Sequence, residues 1–169
     1  MKTAPSIAEE LIIANKFEQA IDAYEIALDA ARKNKNKKMR SKIQNKITEA
    51  KKLRMAHQNI LEHLETLQES PGDPESNYRV GSYYCFERNL WQRGLPYLAR
   101  GNDEKISSLA KLELNNPTKP SEILDVADQW WELAEKQKKT PQAQMKLRAK
   151  QWYATIFPEL QGLGRQKIL

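Results

Sequence analysis

The sequence predicts an all-α fold in which helices stack side by side. Apolar residues recur at steps of three and four along most of the 169 residues, the spacing of one helix face. Polar stretches holding Asn, Gly and Pro interrupt this pattern at intervals, as helix ends do. No segment alternates apolar and polar residues as a half-buried strand would.

The first helical pair is expected over 1–33. Ser6 follows Pro5 and precedes Glu9 by three residues, a capping-box spacing. Ile7, Ala8, Leu11 and Ile12 then form one face. Asn15-Lys16 breaks the pattern, and Asn tolerates the left-handed conformation that ends helices. Phe17, Ala20, Ile21, Tyr24, Ala27, Leu28 and Ala31 mark an amphipathic second helix. After the polar turn 33–37, one long basic helix is expected over 38–69. Met39, Ile43, Ala50, Leu53, Ile60, Leu64 and Leu67 fall on its heptad seam, with Lys46 and His57 as exceptions. Some 30 residues at ~1.5 Å each give about 45 Å. Such a helix either packs against two successive helical pairs or forms a coiled coil, and the polar seam positions favour the first.

Ser70-Pro71-Gly72-Asp73-Pro74 is the clearest break in the chain. A second pair plus a short helix is expected over 74–114, with Pro96 kinking or limiting one helix and Asp103 capping the next. Asn116-Pro117 opens a linker. A third pair is expected over 121–158, with Ser121 as a cap, Thr140-Pro141 opening its second helix and Pro158 closing it. Residues 159–169 form a tail. The whole is expected as one helical-repeat domain, of a size that buries a core without metal or disulfide.

Charge is uneven. Between Arg32 and Arg54, eleven Lys and Arg oppose Glu49 alone, a net +10; the chain totals +6, so the remainder carries −4. The candidate basic patch is Lys35, Lys37, Lys38, Arg40, Lys42 and Lys46. It lacks the interleaved aromatics that stack single-stranded bases.

Chemistry-bearing constellations are missing from the sequence. There is no Gly-rich phosphate loop, no Cys/His ligand set and no Ser/His/Asp context. His57 and His63 are six apart, about 120° apart on a helix, so they do not chelate one ion. Asp128, Glu132 and Glu135 stand at i, i+4 and i+7, a solvated stripe opposite Trp130-Trp131 and not a pair of catalytic carboxylates. Cys85, the single cysteine, lies in Tyr83-Tyr84-Cys85-Phe86 and reads as a small core residue. No apolar run reaches the ~18 residues of a membrane span. Met1 to Pro5 lead into Glu9 and Glu10 with no apolar stretch, so no secretory signal is expected. The protein is therefore expected not to be an enzyme and to use no cofactor or metal.

Three segments share one spacing: Asn15-x-Phe17-x-x-Ala20-Ile21-x-x-Tyr24-x-x-Ala27-Leu28, Asn89-x-Trp91-x-x-Gly94-Leu95-x-x-Leu98, and Ala149-x-x-x-Tyr153-x-x-Ile156-Phe157-Pro158. A small residue lets the paired helix approach, and the larger ones fill the groove to the next pair. This resembles the tetratricopeptide repeat, most closely in the first segment. Ala4 and Leu11 stand where that repeat usually has Trp and Tyr, and the second and third segments are degenerate. The resemblance implies antiparallel helical pairs in a right-handed solenoid.

A further resemblance covers about Leu53 to Leu169. It rests on Val80-Gly81-Ser82-Tyr83-Tyr84-Cys85-Phe86, Trp91-x-Arg93-Gly94-Leu95-Pro96-x-Leu98-Ala99-x-Gly101, Ala127-Asp128-Gln129-Trp130-Trp131-Glu132-Leu133-Ala134-Glu135, Arg148-Ala149-x-x-Trp152-Tyr153 and Pro158-x-Leu160-x-Gly162-Leu163. The combination is similar to a helical region of large planctomycete proteins of unassigned function. That likeness implies a piece of a multidomain, exported bacterial protein and supplies no catalytic residue.

The function expected from these readings is a protein–protein interaction scaffold or spacer module within a larger protein. Its partner is another protein, a peptide or a neighbouring domain. Trp91, Trp130, Trp131 and Tyr153 are the candidate groove anchors, since rigid aromatics dominate peptide binding. The alternative is binding of nucleic acid or an anionic surface through 32–54 by counterion release. Partner identity, compartment and oligomeric state are not set by the sequence.

Overall fold

The computed structural model of the chain describes residues 3–156, and these form helices and short turns with no strand among them. In chain order they are α1 (Ala4–Ile13), α2 (Phe17–Lys33), α3 (Lys37–Gln58), α4 (Leu61–Glu69), α5 (Pro74–Ser82), a π-helical turn (Tyr83–Glu87), α6 (Trp91–Leu98), α7 (Glu104–Leu114), α8 (Pro120–Glu135) and α9 (Lys139–Thr155). The expected stop at Phe157–Pro158 and the tail 159–169 lie outside the described residues. Among the described residues, no helix is long and apolar enough to cross a membrane. Backbone packing groups the chain into two compact units, Met1–Leu61 and Glu62–Leu169, where the sequence reading drew one domain.

In the first unit, α2 packs against α1 and against α3. All seven α2 residues picked by periodicity are buried. Both connections in this unit use the same device. Asn15 (φ 59°) and Lys35 (φ 50°) adopt the left-handed conformation. The amide of Lys16 then donates to the Leu11 carbonyl at 2.8 Å, and that of Asn36 to the Ala31 carbonyl at 3.0 Å. These bonds satisfy carbonyls that a helix end would leave bare. Asn36 next caps α3, its side chain accepting from the Met39 amide at 2.9 Å.

The single helix expected over 38–69 is in fact two. α3 ends at Gln58, Asn59 is its C-cap, and the Ile60 amide bonds back to the His57 carbonyl at 3.1 Å. Ile60 is buried at this turn. A tight turn that keeps the following Leu residues nearly in phase is invisible to a heptad count.

Helix starts were also misplaced, for one reason. α1 begins at Ala4 with Thr3 as N-cap, and Ser6 sits inside the first turn, its hydroxyl donating to the Thr3 carbonyl at 2.9 Å. α8 begins at Pro120 rather than after Ser121, and α9 begins at Lys139, ahead of Thr140-Pro141. In each case proline lies in the first turn, where its fixed φ fits and its missing N–H costs no bond. A Ser or Thr beside it is then carried into the helix.

In the second unit, Asp73 caps α5 by accepting from the Ser76 amide at 2.7 Å. The Asn77 side chain, fully buried, donates to the Pro71 and Asp73 carbonyls at 2.9 and 2.8 Å and so ties the Pro-Gly loop to the helix. The π-helical turn follows. Tyr83, Tyr84, Cys85 and Phe86 are four consecutive buried residues, more than one face of a regular α-helix presents. α6 comes very close to α5 and this turn. A Cβ on Gly94 would lie 2.4 Å from Cys85 Sγ, and one on Gly81 2.7 Å from the Leu98 amide nitrogen. Asn89 (φ 53°) supplies the left-handed step into α6, as Asn15 does into α2. Asp103 caps α7 through the amides of Lys105 and Ile106, as its sequence position suggested. α7 packs on α6 and α8, α8 on α9, and α9 also reaches the π-helical turn.

Candidate interaction surface

Three of the four aromatics read as candidate groove anchors are core residues. Trp130 and Tyr153 are fully buried, and Trp91 is 4% exposed. Trp91 and Trp130 meet edge to face at 5.1 Å between centroids. Trp131 alone of the four is partly exposed, packed against the core, with Lys146 Nζ 5.0 Å above its ring. Lys146 also pairs with Glu135 at 2.6 Å. Sequence spacing placed these aromatics on helix faces correctly but did not tell which face met protein and which met water.

A buried polar network explains why so many aromatics are needed there. Glu113 on α7 is 4% exposed, and its carboxylate accepts from Trp130 Nε1 at 2.6 Å and from Arg148 Nε at 2.8 Å. A second nitrogen of the Arg148 guanidinium donates to the same oxygen, Oε1, while Oε2 takes the Trp130 N–H. That guanidinium also lies 5.3 Å from the Trp91 ring centre and 5.5 Å from that of Trp152. A charge taken from water needs such partners. The Tyr153 hydroxyl donates to Asp128. Burial pushes the Tyr153 hydroxyl well above its ordinary value, and the bond to Asp128 adds to it. Burial likewise pushes the Cys85 thiol up, with Glu113 adding to the effect and Arg148 opposing it. Both groups are held neutral, and the hydrogen bonds to Glu113 and Asp128 fix the packing of the cluster.

The first unit is different. The six residues of the candidate basic patch do not share one face. Lys37, Arg40, Ser41 and Gln44 stand at i, i+3, i+4 and i+7, one stripe of α3. With Leu28 and Arg32 of α2 they line a cavity of about 360 Å³. Lys38, Lys42 and Lys46 form another stripe at four-residue steps. Lys46 Nζ is 3.9 Å from Glu9 of α1 and 3.6 Å from Glu49, so part of its charge is answered. Lys35 sits in the left-handed turn itself. The long side chains of Lys35, Lys38 and Lys42 are exposed.

An apolar groove lies in the same unit. It measures about 450 Å³ and is lined by Thr3, Ala4, Pro5, Ile26, Ala27, Ala30, Ala31, Asn34, Asn36, Met39 and Ile43. Ile26 is 67% and Met39 44% exposed. Four alanines, Ala4, Ala27, Ala30 and Ala31, line it beside these two exposed side chains. A further cavity of about 220 Å³ lies among Glu9, Ile12, Ile13, Tyr24, Lys46, Glu49, Ala50 and Leu53. Burial raises the Tyr24 hydroxyl above its usual value, helped by Glu9 and Glu49.

Sequence reasoning missed Ile26 as a groove residue, Ser41 and Gln44 as lining the basic cleft, and Glu113 and Arg148 as partners. Ile26 did carry a signal, since it falls off the buried face of α2 and is an isoleucine on the solvent side. Glu113 and Arg148 are 35 residues apart, and nothing local pairs them. The chain matches no protein-family model, no curated protein and no solved structure.

Proposed function

We propose that the protein is a non-catalytic docking module, in which successive helices pair as tetratricopeptide-like hairpins and the first unit receives an acidic, apolar segment of another protein. The observation that carries this is the apolar groove of about 450 Å³ with Ile26 and Met39 exposed beside it. An exposed apolar concavity in a surface otherwise rich in charge is the usual mark of a binding site. The surrounding segment, net +10 between Arg32 and Arg54, selects for a partner of opposite sign. The left-handed residues that precede α2, α3 and α6 and the buried small residues at Ala20 and Gly94 support the hairpin reading.

The test is selection from a display library of acidic peptides with interspersed Leu, Ile and Phe, using the full chain as bait. Binders are expected, and Met39→Lys and Ile26→Glu are expected to lose them with helical circular dichroism unchanged. No enrichment of such peptides, or equal binding by both variants, overturns the proposal. The other reading, attraction of nucleic acid or an anionic surface, is favoured by the exposed Lys35, Lys38 and Lys42. It predicts binding to random duplex DNA that falls steeply as salt rises.

A further inference from the structure

The cavity between α2 and α3 gathers cations in a way the groove does not require. Arg32, Lys37 and Arg40 line it together with the Ser41 hydroxyl, the Gln44 amide and the Leu28 side chain. Among the described residues, no carboxylate lines it. Arg32 is paired with Asp29 at 2.8 Å, but both side chains are more than half exposed, and such pairs exchange readily in water. Neither Lys37 nor Arg40 has an acidic partner among the described residues. We infer that this cleft binds a phosphate-type dianion, namely the phosphomonoester of a protein segment docked on the first unit.

Several features select this ligand. A single carboxylate is answered by one cation, whereas three cations converging on one cavity match a group carrying nearly two negative charges and three acceptor oxygens. Guanidinium groups present donors in a fork that fits phosphate, and Lys adds a compact point charge. Ser41 and Gln44 supply neutral donors, and Leu28 gives an apolar seat for the ester carbon. A nucleic-acid backbone fits less well. It presents phosphates in a row, and no aromatic side chain lines the cleft to stack a base. The cleft and the apolar groove both come up to the α2–α3 turn. Ala31, Asn34 and Asn36 line one, and Arg32 and Lys37, their chain neighbours, line the other. One segment crossing the α2–α3 turn reaches both. The inference therefore rests on the docking reading above.

The full chain is titrated with four probes: inorganic phosphate, an acidic apolar peptide carrying phosphoserine, the same peptide with serine, and random duplex DNA. Amide chemical shifts over residues 37–44 and calorimetry are read. The phosphoserine peptide is expected to bind about tenfold tighter than the serine peptide, a difference of about 1.4 kcal/mol. Inorganic phosphate is expected to shift the same amides more weakly. Lys37→Gln and Arg40→Gln should remove the gain, while Lys51→Gln, the same change of charge elsewhere on α3, should keep it. Equal binding of the two peptides overturns the phosphate site and leaves the docking reading standing. Phosphate bound at the cleft with no binding of either peptide overturns the docked segment instead. Tighter binding of DNA than of the phosphopeptide, or an equal loss in Lys51→Gln, also overturns the inference.

Discussion

The two units use one local device to different ends. In each, a left-handed asparagine precedes an aromatic residue that opens a helix and is 4% exposed: Asn15 and Phe17 in one, Asn89 and Trp91 in the other. Beyond that they diverge. The first unit fills its core mainly with alanine and isoleucine, together with Tyr24 and Leu28, and leaves an apolar groove open. The second closes its core with Trp91, Trp130 and Tyr153 around a buried carboxylate–guanidinium pair. Small residues between helices leave room at the surface, whereas large aromatics fill it and demand polar partners for their N–H and O–H groups. The unit that looked richest in binding residues is thus the one whose aromatics are committed to its interior.

The largest test of this contrast is to break the pair in the second unit. Arg148→Met leaves Glu113 buried without its partner and should destabilise that unit by about 3–5 kcal/mol. All four tryptophans lie in the second unit, at 91, 130, 131 and 152, so urea unfolding followed by tryptophan fluorescence reads it specifically. Glu113→Leu combined with Arg148→Met should recover most of the loss. If the single variant unfolds at the wild-type midpoint, the pair does not hold the core.

Gly94→Ala should cost about 1–3 kcal/mol on the same readout, because its methyl would meet Cys85 Sγ. Adding Cys85→Gly should restore part of that. In the first unit, Ile47→Val removes one buried methyl group and should cost about 1 kcal/mol, read as faster hydrogen exchange of α2 and α3 amides. A change several times larger would show that this core is packed as tightly as the other. The shared device gives a smaller effect. Asn15→Ala and Asn89→Ala should each lose about 1 kcal/mol, and the corresponding Gly variants less, although Asn89→Gly also removes the acceptor of Trp91 Nε1.

The smallest expected effect is at acid pH. Hydrogen bonds from Ser76 hold the Asp73 carboxyl below its ordinary 3.8. The cap is therefore fully present above that value and fades as pH falls through the lower one of the folded protein. Amide exchange at Ser76 should rise in that range, and Asp73→Asn should flatten the dependence.

Helix identity was legible because burial on one face leaves a three- and four-residue imprint, and α2 shows it at every expected position. The left-handed turn at Asn15 was legible because asparagine is one of few residues that accept it; the equivalent turn at Lys35 carried no such mark. The break at Asn59–Ile60 escaped notice because the pattern stayed nearly in phase through it. The four aromatics were read on the right elements, but a side chain's depth depends on what packs over it from distant chain positions. For the surface, the charge of 32–54 was plain, while its division into a cleft stripe and a flanking stripe needed α2 and α1 beside α3.

Cys85 sits under Gly94 with its sulfur shielded from water and its thiol held protonated. A thiol-reactive dye can label it only when the helices packed over the π-helical turn, α6 among them, part from it. The natural chain therefore carries a clock for its own local opening, since the labelling rate at neutral pH measures how often that seam parts. No engineered cysteine is needed to follow it.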